Sequence, residues 1–236
     1  ELYGALDDPN HELWQELTPA GRYAVRVLLW LRVEQVRPLI LAAWQRLDMA
    51  RFSRLLELLV RVSVRGLIAH VNTGDLQRHY HVAARLVSKE GTRSPEKILR
   101  VLSPIIPSDE EFQSAFEQLA LDPKGPRKHV VRYLLAELER AAGGSVAPDL
   151  PELTVEHILP INPGGLFPSF NAEAAERDVQ RLGNLTLLEH RLNKDLGAAA
   201  FEVKQRVYEQ SKFLMTRAIT TPEWTPETLR ARQSEM

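Results

Sequence analysis

The chain contains no cysteine, which removes disulfides and every thiolate metal site from consideration. It also lacks any apolar run near the roughly 20 residues that span a bilayer. Leu28–Leu31 and Leu39–Ala43 end in arginine and polar residues, and no membrane partner is expected. A cleavable signal pattern is missing from the start, so a cytoplasmic location is the expectation. There is no HExxH for a zinc protease and no glycine-rich phosphate loop for nucleotide hydrolysis. Charge of one sign is lacking too: the formal net charge of −1 supplies no global pull toward nucleic acid. The first residue is Glu1 rather than Met, so a fragment of a longer protein is expected, with an N-terminal part missing.

What is present is an ordinary globular composition: 236 residues, 44% hydrophobic and 26% charged, enough for one large or two modest domains. The distribution of charge says more than the sum. Residues 51–100 carry ten Lys/Arg against four Asp/Glu, whereas 151–236 carry ten against twelve. A basic face beside an acidic block suits contact with a phosphate backbone next to a metal-binding site. Arginines scattered over solvated helical faces explain the same numbers, and composition alone favours that plainer reading.

Residues 1–142 read as successive helices. Val25, Leu28 and Leu29, then Phe52, Leu55, Leu56 and Leu59, recur at the three-and-four spacing of one apolar stripe. Arg51, Arg54, Arg61 and Arg65 fall on the opposite side of that stripe. Ser94-Pro95 has the form of an N-cap before a first-turn proline, and Ser108 with Glu111 the form of a capping box. Trp30 and Trp44, at helical spacing, are read as core. Gly143-Gly144-Ser145 and Pro148 end the last of these helices and mark an expected boundary, with a helical region at 1–145 and a second unit at 146–236.

After Pro151 the texture changes. Leu153–Ile158 and Leu185–Leu188 are strand candidates, separated by a Gly/Pro/Asn loop at 162–165 and a short helix near Ala172–Arg181. Arg191 to about Phe213 reads as helical with a break at Gly197, and Ile219–Met236 as a tail with one short helix after Thr225-Pro226. The expected fold class is mainly α with a small β-hairpin.

Four features in this half carry chemistry: Glu156-His157 with Pro160 behind them, Gly183-Asn184-Leu185, Asn193 nine residues after Asn184, and Lys204. Hydrolysing a phosphodiester requires removing a proton from water and neutralising charge on the phosphate. Histidine, with an ordinary pKa of about 6.5, suits the first task, and a divalent cation the second. Glu156 supplies a carboxylate and Asn193 an amide oxygen. Such a set points to Mg²⁺, with Mn²⁺ as a substitute. Adjacent strand residues face opposite ways, so Glu156 and His157 share a pocket only if the chain leaves the ladder there, as Pro160 allows. Asn184 is expected to hold the hairpin tip by bonding backbone near His157.

The run Thr154-Val155-Glu156-His157-Ile158-Leu159-Pro160, followed by Leu182–Leu188 and Leu192-Asn193-Lys194, resembles the C-terminal HNH domain of GmrSD-type (SspE-like) modification-dependent restriction proteins. Phe201, Lys204, Tyr208 and Ser211 continue the likeness, as do Arg37-Pro38-Leu39 and Asp109-Glu110-Glu111-Phe112 upstream. The resemblance implies a ββα-metal endonuclease that nicks or cuts DNA in bacterial antiviral defence. By it, His157 activates water, Asn184 fills the middle HNH position, and Glu156 and Asn193 bind the metal. Lys204, Lys194 and His190 become candidate contacts to DNA phosphate, against the plainer readings of surface lysines and an exposed helix-start histidine. Two departures stand out. Glu156 replaces the commoner Asp, and Asn193 replaces His in the third position, which favours Mg²⁺ over softer metals. The resemblance also implies an N-terminal nucleotide-hydrolysing sensor domain, whose motifs are missing here. The alternative is a non-catalytic DNA-binding or assembly module that keeps the fold.

Overall fold

Apolar residues spaced three and four apart force helices to share a buried side, and the first half of the molecule is built that way. The computed structural model describes residues 2–194 and 196–236. Its opening helices are α1 (Leu2–Ala5), α2 (Pro19–Leu31), α3 (Arg37–Trp44), α4 (Met49–Ile68), α5 (Thr73–Ser88), α6 (Pro95–Leu102) and α7 (Asp109–Glu117). α2 packs on α4, α3 on α5, and α6 on both α4 and α5. The long α4 buries Phe52, Leu55, Leu56, Leu59 and Val62, the stripe expected from its spacing. Each fully buried leucine contributes about 1.5–3 kcal/mol relative to exposure. Trp44 sits edge-on between Trp14 and Phe52, at 5.7 and 5.3 Å between ring centroids. α2 and α4 approach closely because Gly21 has no side chain: a Cβ there would lie 2.6 Å from Ser53 Oγ.

The helix starts follow local chemistry. Asp48 accepts the N–H of Arg51 and Ser94 that of Lys97, while Ser108 and Glu111 bond reciprocally as a capping box. Arg51, Arg54 and Arg61 are exposed on α4, whereas Arg65 is half-buried over the Phe112 ring.

The chain forms two compact units, Glu1–Ala115 and Phe116–Met236. The division therefore lies well before the glycine/proline stretch at 143–148 that marks a boundary in the sequence. The reason is α8 (Lys128–Ala141), which buries Val131, Leu134 and Leu135 and packs on the sheet of the second unit. Its Glu139 is 1% exposed and accepts the backbone N–H groups of Leu214 and Met215. Gly144 has no room for a Cβ because the Glu139 side chain occupies it. The stretch is a connection inside this unit.

The second unit continues with β1 (Leu153–His157), α9 (Ala172–Asp178), β2 (Leu185–Glu189), α10 (His190–Asn193), α11 (Phe201–Tyr208), α12 (Leu214–Arg217) and α13 (Pro226–Glu235). β1 and β2 pair antiparallel, with Leu153 opposite Glu189 and His157 opposite Leu185. Among the described residues this two-stranded sheet is joined by thirteen α-helices, so the molecule is mainly helical. The stretch expected to be helical from 191 to 213 holds two short helices, α10 and α11; Gly197, at φ +46°, lies between them, and position 195 lies outside the described residues. The C-terminal segment is no loose tail. Trp224 and Leu229 join a core with Ile158, Leu159, Leu188, Phe201 and Tyr208. No helix among the described residues is long and apolar enough to cross a membrane.

Candidate active site

The site residues hang on β1, and strand alternation sorts them. Thr154 and Glu156 project to one face, Val155 and His157 to the other. The ladder runs through His157, and Ile158 N–H still donates to Asn184 O at 3.0 Å. The expected exit from the ladder at Glu156-His157 does not occur, and the two side chains do not line one pocket.

Glu156 is 6% exposed, and its carboxylate meets α11. Phe201, Lys204 and Tyr208, at i, i+3 and i+7, form the buried face of that helix. Lys204 is fully buried, and its Nζ donates to Glu156 Oε1 at 2.5 Å and to His157 O at 2.6 Å. Tyr208 adds its hydroxyl to Oε1 at 3.4 Å. Burial raises the Glu156 carboxyl and lowers the Lys204 ammonium, each opposed by the other's charge. This corrects the expectation for Lys204: a sealed ammonium cannot reach a DNA phosphate, and it locks β1 to α11 instead.

Asn193, half-buried at the end of α10, donates its Nδ2 to Thr154 Oγ1 at 2.8 Å and so lies on the Glu156 face. Among the described residues nothing donates to its Oδ1, an anchored hard oxygen of the kind magnesium accepts. Asn193 fits such an ion. Glu156 does not, because its counter-ion is already Lys204 and the Tyr208 hydroxyl also donates to it. No three His, Asp or Glu side chains cluster as a metal site among the described residues.

On the opposite face, His157 is 9% exposed, with Nε2 3.3 Å from Gln180 Oε1. Burial holds its pKa below the ordinary value; the Gln180 hydrogen bond opposes this, the charges of Lys124 and Lys204 add to it, and Asp122 acts against them. The ring is therefore neutral near pH 7. Asn184 is the clasp beneath it. Fully buried, it accepts the N–H of Leu159 at 2.8 Å and donates to Leu159 O and Val179 O, both at 2.9 Å. It thereby ties the residues after His157 to the residue before Gln180. Trp224 Nε1 donates to Asn184 Oδ1 at 3.1 Å. Gly183 is required here, since a Cβ would lie 2.7 Å from Leu229 O on α13. Gln233 accepts the Gly183 N–H, and Arg232 donates to the carbonyls of Gly183 and Leu185. The motif is thus held by the very segment that the sequence presents as a tail. Asn184 acts by position and does not reach solvent.

His190 and Lys194 are exposed at the two ends of α10, as expected for surface groups. Sequence reasoning missed Gln180, and with it Lys124 and Arg127 on the loop that precedes α8 and Lys128 at the start of that helix. Leu121 N–H donates to Gln180 O at 2.8 Å and Leu182 N–H to Leu119 O at 2.9 Å, which carries this loop to the His157 face. The available signal was three cations within 124–128, which lay on the far side of the expected boundary.

The sequence pattern of the GmrSD restriction endonucleases, C-terminal domain, matches residues 106–236, more than half of the chain. The chain belongs to this family. No curated protein matches it. The family span takes in all of the second unit, from the 122–128 loop to α13, so the elements that clasp Asn184 lie inside the GmrSD C-terminal domain. The chain is therefore a restriction-endonuclease-related module.

Proposed function

We propose that the chain is an HNH-type, metal-dependent DNA endonuclease of the ββα-metal kind, with His157 as the general base. The observation that carries this reading is the setting of His157: a neutral, buried imidazole held by Gln180 at the end of β1 in a restriction-endonuclease domain. With the Gln180 oxygen facing Nε2, the ring proton resides there and Nδ1 keeps its lone pair for a proton. As His157 takes that proton, the water oxygen bonds to phosphorus and the bond to the leaving sugar oxygen breaks. A magnesium or manganese ion would supply neutralisation of phosphate charge when bound; Asn193 offers it an oxygen, but from the Glu156 face of the hairpin, opposite the His157 side chain. Asn184 and Gln180 fix the ring, and Lys204 fixes the strand by its bond to the His157 carbonyl. His190 and Lys194 are retained as outer phosphate contacts. Sequence preference is weak, because the sequence shows no dedicated set of groove-reading side chains among the described residues. The helical region couples to a sensor domain outside this chain, in cytoplasmic antiviral restriction.

One observation favours a non-catalytic module instead: Glu156 is neutralised by Lys204 and faces away from His157. Relaxation of supercoiled plasmid separates the two. With Mg²⁺ the wild type nicks, EDTA stops it, and His157→Ala loses about 10²–10⁴-fold of rate while its circular dichroism is unchanged. Equal DNA binding with no nicking by either protein makes the non-catalytic reading the right one.

A further inference from the structure

We propose that the loop bearing Lys124 and Arg127, with Lys128 at the start of α8, is the seat on which the phosphodiester backbone of DNA lies beside His157. The inference deepens the nuclease reading and rests on it for its purpose. Three observations carry it. The loop leaves from Leu121, whose N–H is bonded to the carbonyl of Gln180, the residue whose side chain meets His157. Lys124 and Asp122 lie near enough for their charges to act on the imidazole.

The loop is also stiff. Asp122 Oδ1 accepts Lys124 N–H at 2.8 Å, Gly125 N–H bonds Asp122 O at 3.2 Å, and Lys128 N–H bonds Gly125 O at 3.1 Å. Pro123 and Pro126 restrict the intervening torsions. Binding there would require little ordering of the chain.

Finally, its cations are unclaimed. Lys124, Arg127 and Lys128 are exposed and form no ion pair with a described residue, while Asp122 is engaged in the turn. The basic stretch that composition singles out is different. On α4, Arg51, Arg54 and Arg65 each have a carboxylate, from Asp48 at 3.2 Å, Glu57 at 3.5 Å and Asp109 at 2.8 Å. Abundance of arginine therefore points to one place, and free positive charge near the imidazole to another.

The test is fluorescence anisotropy with a labelled DNA duplex, using the full chain in a His157→Ala background so that nothing is cut. Replacing Lys124, Arg127 and Lys128 together by alanine should weaken binding about tenfold or more at about 100 mM salt. It should also flatten log Kd against log salt by roughly 0.9 for each phosphate that is no longer neutralised. Exchanging them as Lys124→Arg, Arg127→Lys and Lys128→Arg should restore most of the affinity, which a merely structural loop would not predict. Removal of Arg51 and Arg54, whose charges are already paired, should change affinity by no more than about twofold. Unchanged affinity in the loop variant overturns the proposal, and so does loss confined to the α4 variant. The nuclease reading fails separately: if plasmid nicking survives His157→Ala while the loop variant loses affinity, the seat stands and the base assignment falls.

Discussion

The two units bury different kinds of side chain. The buried polar side chains of residues 2–115 are two serines, Ser53 and Ser63, in an interior of leucine, valine and aromatic rings. Residues 116–236 bury Glu139, Glu156, Asp178, Arg181, Asn184, Glu189, Lys204 and Gln233. An apolar core is non-directional, so any residue of similar volume serves. A buried charge is tolerated only with its particular partner in place. Glu156 requires Lys204, Glu189 requires Ser211 and the Lys212 N–H, and Glu139 requires the start of α12. The first unit should be forgiving of substitution and the second exacting.

Four substitutions should break or sharpen that contrast. The largest effect is expected from Lys204→Ala, which strands the Glu156 carboxylate and should cost about 3–5 kcal/mol in urea unfolding. The double replacement Glu156→Gln with Lys204→Met should recover most of that loss; a single variant within about 1 kcal/mol of wild type would mean the buried pair does not hold the unit together. Next comes Leu56→Ala in α4, at about 3 kcal/mol, with Leu56→Met costing under about 1.5 kcal/mol. A methionine as damaging as the alanine would show the first unit to be exacting as well. Gly183→Ala should cost about 1–3 kcal/mol, because the new methyl meets the Leu229 carbonyl and that backbone cannot rotate away. An unchanged melting temperature there would mean that α13 does not hold the motif.

The smallest effect concerns acid. Burial pushes the Glu189 carboxyl up, but the N–H of Lys212, its own backbone, the Ser211 hydroxyl and the Lys212 charge bring it below the ordinary value of 4.5. A carboxylate depressed in the folded state stabilises above that ordinary value, and the gain disappears as pH falls through the folded pKa. Glu189→Gln should therefore show a shallower loss of stability on acidification. Parallel curves for the two proteins would remove Glu189 from the network.

The same contrast explains what was readable in advance. Repeated leucines on α4 and the capping pairs at Ser94 and Ser108 are local, so helix positions followed from spacing. The strand pair was readable for the same reason, but the sequence could not say that Asn193 lies on the Glu156 face and His157 on the other. The role of Lys204 was not. Its partner lies on β1, and nothing in a lysine's neighbours says that it is buried. Gln180 and the 122–128 loop escaped notice because they meet His157 through pairing between distant segments. The unit boundary was misplaced by a glycine/proline stretch whose composition is that of a linker.

By itself the amino-acid order determined the periodic helices and the two short strands, since these depend on neighbours within a few positions. Tertiary structure alone decided which carboxylate is neutralised, which lysine is sealed, and that the exposed Lys124 lies near the imidazole. Burial and pairing are properties of three-dimensional surroundings, and the same side chain changes charge, reach and purpose with them.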